Sequence, residues 1–255
     1  MKRSTIYLSL FALIMICWQC TPAGEQPAEE PSEPTQVQGD ADELAATWAA
    51  KVLEASGGAQ AWQNAAILQW NFFGRRLHTW DKQQNINYVS FVDGSLDILL
   101  DIEKQTGRVW LKGEEQTNPD SLAKYLDIGN RLWINDSYWV FLPYKLRDPG
   151  TKLTYLGIDT TENQQLETLE LVFTDSVGVT PQNKYHVYVD PNTDLMAGWS
   201  YFPNREDTIA QFRLPWADYQ QYGPLLLSGN RGQYEITEID YLEEWPEGLP
   251  VLEGN

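Results

Sequence analysis

The sequence predicts an α+β fold in which helices cover the concave face of a curved antiparallel sheet. Three observations predict it: a helical pattern at 41–58, strand-like segments after it, and a second helical pattern at 119–143 that divides those strands into two groups. Strands and helices that are grouped, rather than alternating one by one, are typical of α+β domains. The chain has 255 residues, enough for one domain with a sizeable core.

The N-terminus predicts an export signal over residues 1–20. Lys2 and Arg3 precede an apolar run from Ile6 to Trp18, which suits a secretory signal better than a spanning helix of about 20 apolar residues. Cys20 follows that run directly. This arrangement resembles a bacterial lipoprotein signal, in which such a cysteine is lipidated, and it predicts a membrane anchor at Cys20.

Two alternatives to lipidation remain open. Trp18 and Gln19 stand before Cys20, where small residues are usual, and the small-residue context at Ala23 permits cleavage that releases a soluble secreted protein. An uncleaved anchor is the third reading, and the shortness of the apolar run disfavours it.

Residues 21–40 are rich in proline and acidic side chains and predict a disordered tether, which leaves 41–255 as one folded domain. The formal net charge is −18. A surface of that sign repels phosphate backbones and anionic lipid headgroups, so nucleic-acid partners are disfavoured. A monomer is expected.

Cysteine usage limits the chemistry of the domain. Cys17 and Cys20 are the only cysteines and both belong to the leader. The domain therefore has no disulfide, no cysteine-based metal site and no thiol nucleophile. No cofactor and no metal are predicted.

The first helix is predicted over residues 41–58. Its apolar stripe consists of Leu44, Trp48 and Val52 with Ala45, Ala49 and Leu53 alongside. Asp40 or Asp42 can cap its start, and the Gly57-Gly58 pair provides a left-handed stop.

Segments of strand length follow the first helix, and several alternate between apolar and polar residues. They are ILQWNFFG (67–74), INYVSFV (86–92), LDILLDI (96–102), RVWLK (108–112), KLTYLG (152–157), ETLELVFT (167–174), KYHVYVD (184–190) and LMAGWSYF (195–202). Alternation of this kind predicts an antiparallel sheet with one face on a core.

The insert at 119–143 has helical spacing in its first half. A break at Gly129 is an open alternative to a continuous helix there, and Pro143 is predicted to end whatever precedes it. The apolar concave face of an open curled sheet must be covered. The helical segments at 41–58 and 119–143 are the segments available to cover it.

The order of elements resembles the periplasmic lipoprotein carriers and outer-membrane lipoprotein-sorting proteins. The residues that carry the resemblance are a leading helix ending in Gly-Gly, the segment AWQNAAILQW (61–70), the central helical insert and a D-P-x-T-x-L hairpin at 190–195. The resemblance implies an open half-barrel of about ten or eleven strands. It also implies an apolar cavity under the helices, and no catalytic residues.

A closer resemblance is to an uncharacterised family of exported bacterial domains, over roughly residues 41–240. Its motifs are FFGRRLHTWD (72–81), WINDSYWVFLPYKLRDPG (133–150), VGVTPQNKYHVYVD (177–190) and GNRGQY (229–234).

Aromatic residues are the candidate ligand-binding residues. Rigid rings give broad apolar contact, so they can line a cavity, although they can equally fill a core. The candidates are Trp70, Trp133, Tyr138, Trp139, Phe141, Tyr144 and Trp199.

An enzymatic interpretation of 135–150 makes Asp136 or Asp148 a general acid or base, with Lys145 and Arg147 as charge stabilisers. No matched nucleophile or second carboxylate motif accompanies them. The structural interpretation, in which these residues form caps and an exit loop, is favoured.

Metal sites are disfavoured. His78 and His186 lack companions at zinc spacing, and Asp81, Asp93, Asp97 and Asp101 lack the spacing of a compact calcium loop. The cations Arg75, Arg76 and Lys184 can meet a ligand head group or pair with the abundant acids, and the second is favoured.

These observations predict a non-catalytic envelope lipoprotein that binds a lipid, an acyl chain or another apolar molecule in a half-barrel cavity. It would lie on the periplasmic side or at the outer membrane. Alternatives are a glycan-binding or protein-interaction module with exposed aromatics and, third, a carboxylate-based hydrolase.

Overall fold

The computed structural model describes residues 38–160, 164–174 and 178–252. The predicted signal sequence, Cys20 and most of the predicted tether lie outside the described residues. The chain is already part of the fold at Gly39, whose backbone N–H donates to the carbonyl oxygen of Arg147 at 3.0 Å. Within these residues no helix is both long and apolar enough to span a membrane.

The described residues form three helices and fifteen strands. The helices are α1 (Glu43–Ala55), α2 (Gly58–Gln63) and α3 (Pro119–Lys145). The strands are β1 (Asp40–Ala41), β2 (Ile67–Phe72), β3 (Arg76–Asp81), β4 (Ile86–Phe91), β5 (Leu96–Asp101), β6 (Thr106–Leu111), β7 (Glu114–Glu115), β8 (Thr151–Asp159), β9 (Leu166–Phe173), β10 (Lys184–Val189), β11 (Met196–Phe202), β12 (Phe212–Pro215), β13 (Ala217–Tyr222), β14 (Leu225–Arg231) and β15 (Tyr234–Leu242).

The strands form two sheets, and the nine-stranded sheet takes strands from both before and after the block β8–β12 of the six-stranded sheet. One has the order β1-β8-β9-β10-β11-β12, and the other has the order β13-β14-β15-β2-β3-β4-β5-β6-β7. All described pairs are antiparallel except β1 with β8. The single residue Trp216, which is buried, joins β12 to β13, so the chain passes from one sheet to the other at a corner.

The predicted fold class, an α+β fold with an open curved antiparallel sheet under helices, is confirmed. The fifteen strands outnumber the ten or eleven that the resemblance implies and the eight segments identified from the sequence. The seven strands without a predicted segment are the two-residue edge strands β1 and β7, the strand β3 and the four strands β12–β15 after Phe202.

The first helix begins where the sequence predicts. Asp42 is its N-cap, and its carboxylate accepts a hydrogen bond of 2.8 Å from the backbone N–H of Ala45. The other carboxylate oxygen accepts from the backbone N–H of Tyr155, also at 2.8 Å, which ties the helix start to β8. Gly57 follows the helix with φ of 126°, a conformation that favours glycine.

The prediction that Pro143 ends the insert was wrong, and Gly129 does not break the helix. Both residues lie within the continuous 27-residue helix α3. Gly129 lets the helix approach β5 closely, since a Cβ there would lie 2.9 Å from Cγ2 of Ile98. Pro143 cannot donate to the carbonyl of Trp139 four residues earlier, and the guanidinium of Arg231 donates to that carbonyl instead, at 2.7 Å.

Helix α3 lies against both sheets and divides the interior. The six-strand core contains α1 residues, the end of α3 and strands β8–β12, with Leu142, Leu146 and Trp199 among its buried members. The nine-strand core contains Trp70, Phe141 and residues of α3, β2, β3, β14 and β15. A third cluster packs the first half of α3 on β4, β5 and β6.

Candidate functional site

A cavity of about 270 Å³ lies between the second half of α3 and the six-stranded sheet. The helix contributes one wall, strands β9–β11 contribute the opposite wall, and the segment 178–180 closes one side. The lining residues are Trp133, Ile134, Asn135, Ser137, Tyr138, Trp139, Lys145, Asp148, Pro149, Phe173, Gly178, Val179, Thr180, Tyr185 and Trp199.

Aromatic rings in mutual contact form most of the wall. The rings of Tyr138 and Phe173 meet edge to face with centroids 5.7 Å apart, and Phe173 meets Tyr185 at 90° and 6.0 Å. Tyr185 stacks on Trp199 at 5.4 Å, and Trp199 meets Trp139 edge to face at 4.7 Å. Because each ring is held by its neighbours, the wall is a preformed apolar surface.

Four of the seven predicted aromatic residues line this cavity: Trp133, Tyr138, Trp139 and Trp199. Trp70, Phe141 and Tyr144 lie instead in the nine-strand core. Successive residues of a helix point in different directions, so Phe141 and Tyr144 face the opposite sheet from Tyr138.

Trp70, Phe141 and Tyr144 make specific ring and hydrogen-bond contacts in the nine-strand core. Trp70 stacks on His78 at 4.6 Å and an angle of 5°, and it meets Phe141 edge to face at 5.1 Å. The hydroxyl of Tyr144 donates to the carbonyl oxygen of Ser56. These contacts position α3 and the end of α1 against the nine-stranded sheet.

Phe173 and Tyr185 belong to the cavity wall, but the sequence analysis did not identify them as ligand-binding candidates. Their strands alternate, and each residue shares a face with core aliphatics such as Leu171 and Val187. That alternation could have identified them. An inward-facing residue near the end of a strand, such as Phe173 or Tyr185, lies at the edge of the core.

The cavity mouth carries a paired cation and anion. Lys145 and Asp148 form an ion pair, and Nζ of Lys145 lies 4.9 Å from the centroid of the Tyr138 ring. Burial raises the pKa of Tyr138 well above its ordinary value and that of Tyr185 to about 12. Both phenols are therefore uncharged at neutral pH and keep their hydrogens.

Asp136, the centre of the enzymatic interpretation, is completely buried on α3. Its two oxygens accept from Nε and Nη2 of Arg76 at 2.6 and 2.8 Å, and one of them also lies 2.8 Å from Nε2 of His78. Asn135 donates to the other oxygen at 2.9 Å. With both oxygens occupied, the carboxylate serves to hold α3 against β3.

The pKa of Asp136 reflects this environment. Burial by itself would raise the pKa, but the hydrogen bonds from Arg76 and His78 outweigh burial and lower the pKa below the ordinary 3.8. A carboxylate with a lowered pKa is a weak base, which suits a structural ion pair better than a general base.

Three of the four acids with possible calcium chemistry hold the backbone of their own turns. Asp81 accepts from the backbone N–H of Gln84, Asp93 from that of Ser95, and Asp101 from that of Lys104. Among the described residues, no three His, Cys, Asp or Glu side chains converge closely enough to hold a metal ion.

The second histidine and two of the three candidate cations, Arg76 and Lys184, lie in local pairs. Nε2 of His186 lies 3.5 Å from Glu170, and Nζ of Lys184 lies 3.8 Å from the same carboxylate. Burial lowers the pKa of His186. Arg76 pairs with Asp136 as described above, so these cations meet acids of the protein, as the sequence analysis favoured.

The tryptophans do not form an exposed platform. All ten tryptophans in the described part of the chain are buried or half-buried. Tyr234, at 38%, is the one aromatic among the markedly exposed large apolar side chains of that part. A glycan-stacking surface requires exposed rings, so this distribution disfavours the glycan-binding alternative.

Comparisons with known proteins give structural neighbours without sequence relatives. No family model matches the chain, and no curated protein matches it. A DUF1329 family protein from Desulfovibrio piger is 11% identical, with 81% of this chain and 95% of that chain covered and a TM-score of 0.42.

Two further solved structures are neighbours of the chain. A domain named provisionally as an outer membrane lipoprotein-sorting protein domain, from Vibrio parahaemolyticus, is 12% identical, with 80% of this chain and 95% of that chain covered and a TM-score of 0.42. MucB is 14% identical over 81% of this chain and 62% of its own, with a TM-score of 0.28. Likeness of this degree supports no functional conclusion.

Proposed function

We propose that the protein is an envelope lipoprotein that binds one apolar molecule in the cavity between α3 and the six-stranded sheet and does not act on it chemically. In this proposal residues 1–20 are the signal, Cys20 carries the lipid, residues 21–40 are the tether and the remainder is the binding domain. The observation that carries the proposal is the preformed aromatic wall made by Tyr138, Phe173, Tyr185 and Trp199.

The size of the cavity limits the ligand. Small-molecule sites are about 300–1,000 Å³ in volume, and this cavity of about 270 Å³ lies just below that range. It suits a single acyl chain segment or a small ring compound rather than a lipid with several chains. The proposal therefore concerns one chain or one small apolar molecule.

The side chains at the site support binding without catalysis. The carboxylate of Asp136 is buried and engaged by three neighbours, and Asp148 is paired with Lys145. A general acid or base must be free to reach a substrate proton. Asp136 lacks that freedom because both of its oxygens are engaged, and one oxygen of Asp148 is held by Lys145.

Blocking the cavity tests the proposal. Val179 lines the cavity from the segment 178–180 and is not part of a helix or strand, so Val179→Trp should fill the space without disturbing the core. The matched control is Val92→Trp, in a turn where the side chain is 64% exposed and does not line the cavity. Binding of the uncharged fluorescent probe N-phenylnaphthylamine is titrated in the wild type and both variants.

The expected result is saturable binding in the wild type and in Val92→Trp, with at least a tenfold loss in Val179→Trp at unchanged thermal stability. Mass spectrometry of the purified protein under native conditions should detect an apolar molecule, which Val179→Trp lacks. Equal probe binding in all three proteins would place the bound probe outside the cavity and overturn the proposal.

A further inference from the structure

Strand β8 is paired along its whole length on one side but only in part on the other. With β9 it pairs from Thr151 to Asp159. On the opposite side β1 pairs with Lys152 and Leu153, and the N-cap carboxylate of α1 then accepts from the backbone N–H of Tyr155. Past this point no residue in the described part of the chain pairs with that side of Leu156–Ile158. An unpaired strand edge is a template for a further strand.

Apolar side chains are exposed beside this open edge. Leu156 is 48% exposed and Ile158 is 57% exposed. Leu44, in the first turn of α1, is 54% exposed, and it lies two residues after Asp42, which bonds to β8 at Tyr155. These three are among seven markedly exposed large apolar side chains in the described residues. An apolar surface next to an unpaired backbone edge is the combination that a bound strand covers.

The devices that usually protect a strand edge are few at this position. Lysine and proline residues on the edge strand are common ones. The stretch 154–158 has the sequence TYLGI, which contains neither. A β-bulge falls between Tyr155 and Gly157, and it redirects the strand without adding a charge. A Cβ at Gly157 would meet no atom within 4 Å, so the space beside the strand is open there.

The charges around the open edge are mostly negative. Asp40, Asp42 and Glu43 are exposed where β1 leads into α1. Glu167 lies on β9 beside the last part of β8. Lys152 is the single cation of β8, and it lies opposite Asp40 in the register of the sheet. A partner that carries positive charge is therefore attracted to this edge, and an acidic partner is repelled.

We infer that the open edge of β8 at Leu156–Ile158 binds an extended segment of another protein in which apolar residues alternate with lysine or arginine, and that this segment joins the six-stranded sheet as an added strand. Backbone hydrogen bonds hold such a strand, and its alternate side chains contact the exposed apolar residues. A second copy of the chain, with a formal charge of −18, has the wrong sign. The segment 21–37, which has four glutamates and no lysine or arginine, has the wrong sign as well. The residues of this edge do not line the cavity, so the inference stands apart from the proposed function.

Peptide binding to the full-length mature protein tests the inference. The probe is a fluorescently labelled heptapeptide, capped at both ends, that alternates lysine with valine. One control peptide alternates glutamate with valine. The other control has the lysine–valine sequence with every backbone amide N-methylated, so it keeps the charge and the side chains but cannot donate backbone hydrogen bonds. The lysine–valine peptide should bind at least about tenfold more tightly than either control, measured by fluorescence anisotropy.

Variants of the edge test where the peptide binds. The variant Leu156→Ser/Ile158→Ser removes the two exposed apolar side chains of the edge, and it should weaken binding of the lysine–valine peptide at least about fivefold. The matched control Val92→Ser/Ile209→Ser removes two aliphatic side chains that are 64% and 83% exposed elsewhere, and it should bind like the wild type. Glu43→Gln should weaken binding about twofold, because it removes one attractive charge. All of these side chains are exposed, so thermal stability should be unchanged.

Amide hydrogen exchange locates the bound peptide directly. At least one backbone amide of Leu156–Ile158 should exchange rapidly in the free protein and at least about tenfold more slowly when the lysine–valine peptide is saturating. Failure of this peptide to bind would overturn the inference, and so would equal binding of either control peptide or an equal loss in the two double variants. Slow exchange at all three amides before peptide is added would mean that another part of the chain covers the edge. A dimer in analytical ultracentrifugation that Leu156→Ser/Ile158→Ser abolishes would assign the edge to a second copy instead.

Discussion

Arg231 donates a hydrogen bond of 2.7 Å to the carbonyl oxygen of Trp139, the oxygen that Pro143 leaves without its helical N–H partner. Arg231 is fully buried on β14, and its guanidinium lies 3.3 Å from the centre of the Trp216 ring. Burial lowers the pKa of Arg231 to about 9, so it remains charged at neutral pH. One side chain thus connects the proline position of α3 to the corner between the two sheets.

The first prediction concerns this connection. Arg231→Met should lower the free energy of unfolding by about 3 kcal/mol, because buried carbonyls lose their donor. Pro143→Ala restores an N–H that can reach the Trp139 carbonyl, so in the Arg231→Met background it should recover about 1 kcal/mol relative to its effect in the wild type. Urea denaturation of the four proteins measures the coupling.

The control for this cycle pairs Pro143→Ala with Arg213→Met, since Arg213 forms an ion pair with Asp159 on the six-stranded sheet. That pair of changes should be additive within about 0.5 kcal/mol. Additivity between Pro143→Ala and Arg231→Met would show that the two residues are not coupled through the carbonyl.

The second prediction concerns the pH dependence of stability at Asp136. Because its pKa is lowered in the folded state, its ionised form stabilises the fold; this contribution is complete above the unfolded pKa of about 3.8 and is lost as the pH falls through the folded pKa. Wild-type stability should therefore fall as the pH drops below about 4. Asp136→Asn should be less stable at neutral pH by about 3 kcal/mol, with a shallower decline in acid.

Urea midpoints measured from pH 6 to pH 2 test this dependence. Asp127→Asn, an exposed carboxylate on the same helix, is the control and should keep the wild-type slope. Parallel acid profiles for the wild type and Asp136→Asn would mean that Asp136 does not contribute through its charge.

The third prediction concerns the close approach of α3 to β5. A Cβ at Gly129 would lie 2.9 Å from Cγ2 and 3.2 Å from Cδ1 of Ile98, a buried β-branched side chain with little room to move. Gly129→Ala gains about 1 kcal/mol of helix propensity but introduces a steric overlap that costs about 1–3 kcal/mol, so it should destabilise the protein.

Shortening the Ile98 side chain should reverse the effect of Gly129→Ala on stability. In an Ile98→Ala background the overlap is gone, and Gly129→Ala should stabilise the protein by up to about 1 kcal/mol. Chemical denaturation of both pairs of proteins provides the comparison. If Gly129→Ala stabilises the wild type, the contact is looser than the structure indicates.

The fourth prediction concerns the membrane attachment that we propose for Cys20. Cys20→Ser should move the protein from the detergent phase to the aqueous phase in a detergent phase partition, whereas Cys17→Ser, inside the same leader, should leave it in the detergent phase. Intact-mass measurement identifies the mature N-terminus. A mature chain that begins after Ala23 in the wild type would support the secreted alternative instead.

The sequence by itself determined the elements whose signals are local. Apolar spacing at Leu44, Trp48 and Val52 predicts α1, and Asp42 supplies the cap that the structure shows. Alternation predicts strands such as Lys184–Val189 and Met196–Phe202, and their pairing is antiparallel as expected. These features depend on residues close to one another in the sequence, so they can be predicted without knowledge of the tertiary structure.

Only the tertiary structure decided the course of α3 and the membership of the cavity. Gly129 and Pro143 are local signals for a break, but Ile98 and Arg231, distant in sequence, make a continuous helix the better packed arrangement. The face that each aromatic residue of α3 presents depends on how the helix is rotated between two sheets. A helix that packs on both sides has no single apolar stripe, so its sequence cannot tell which rings line the cavity and which fill the core.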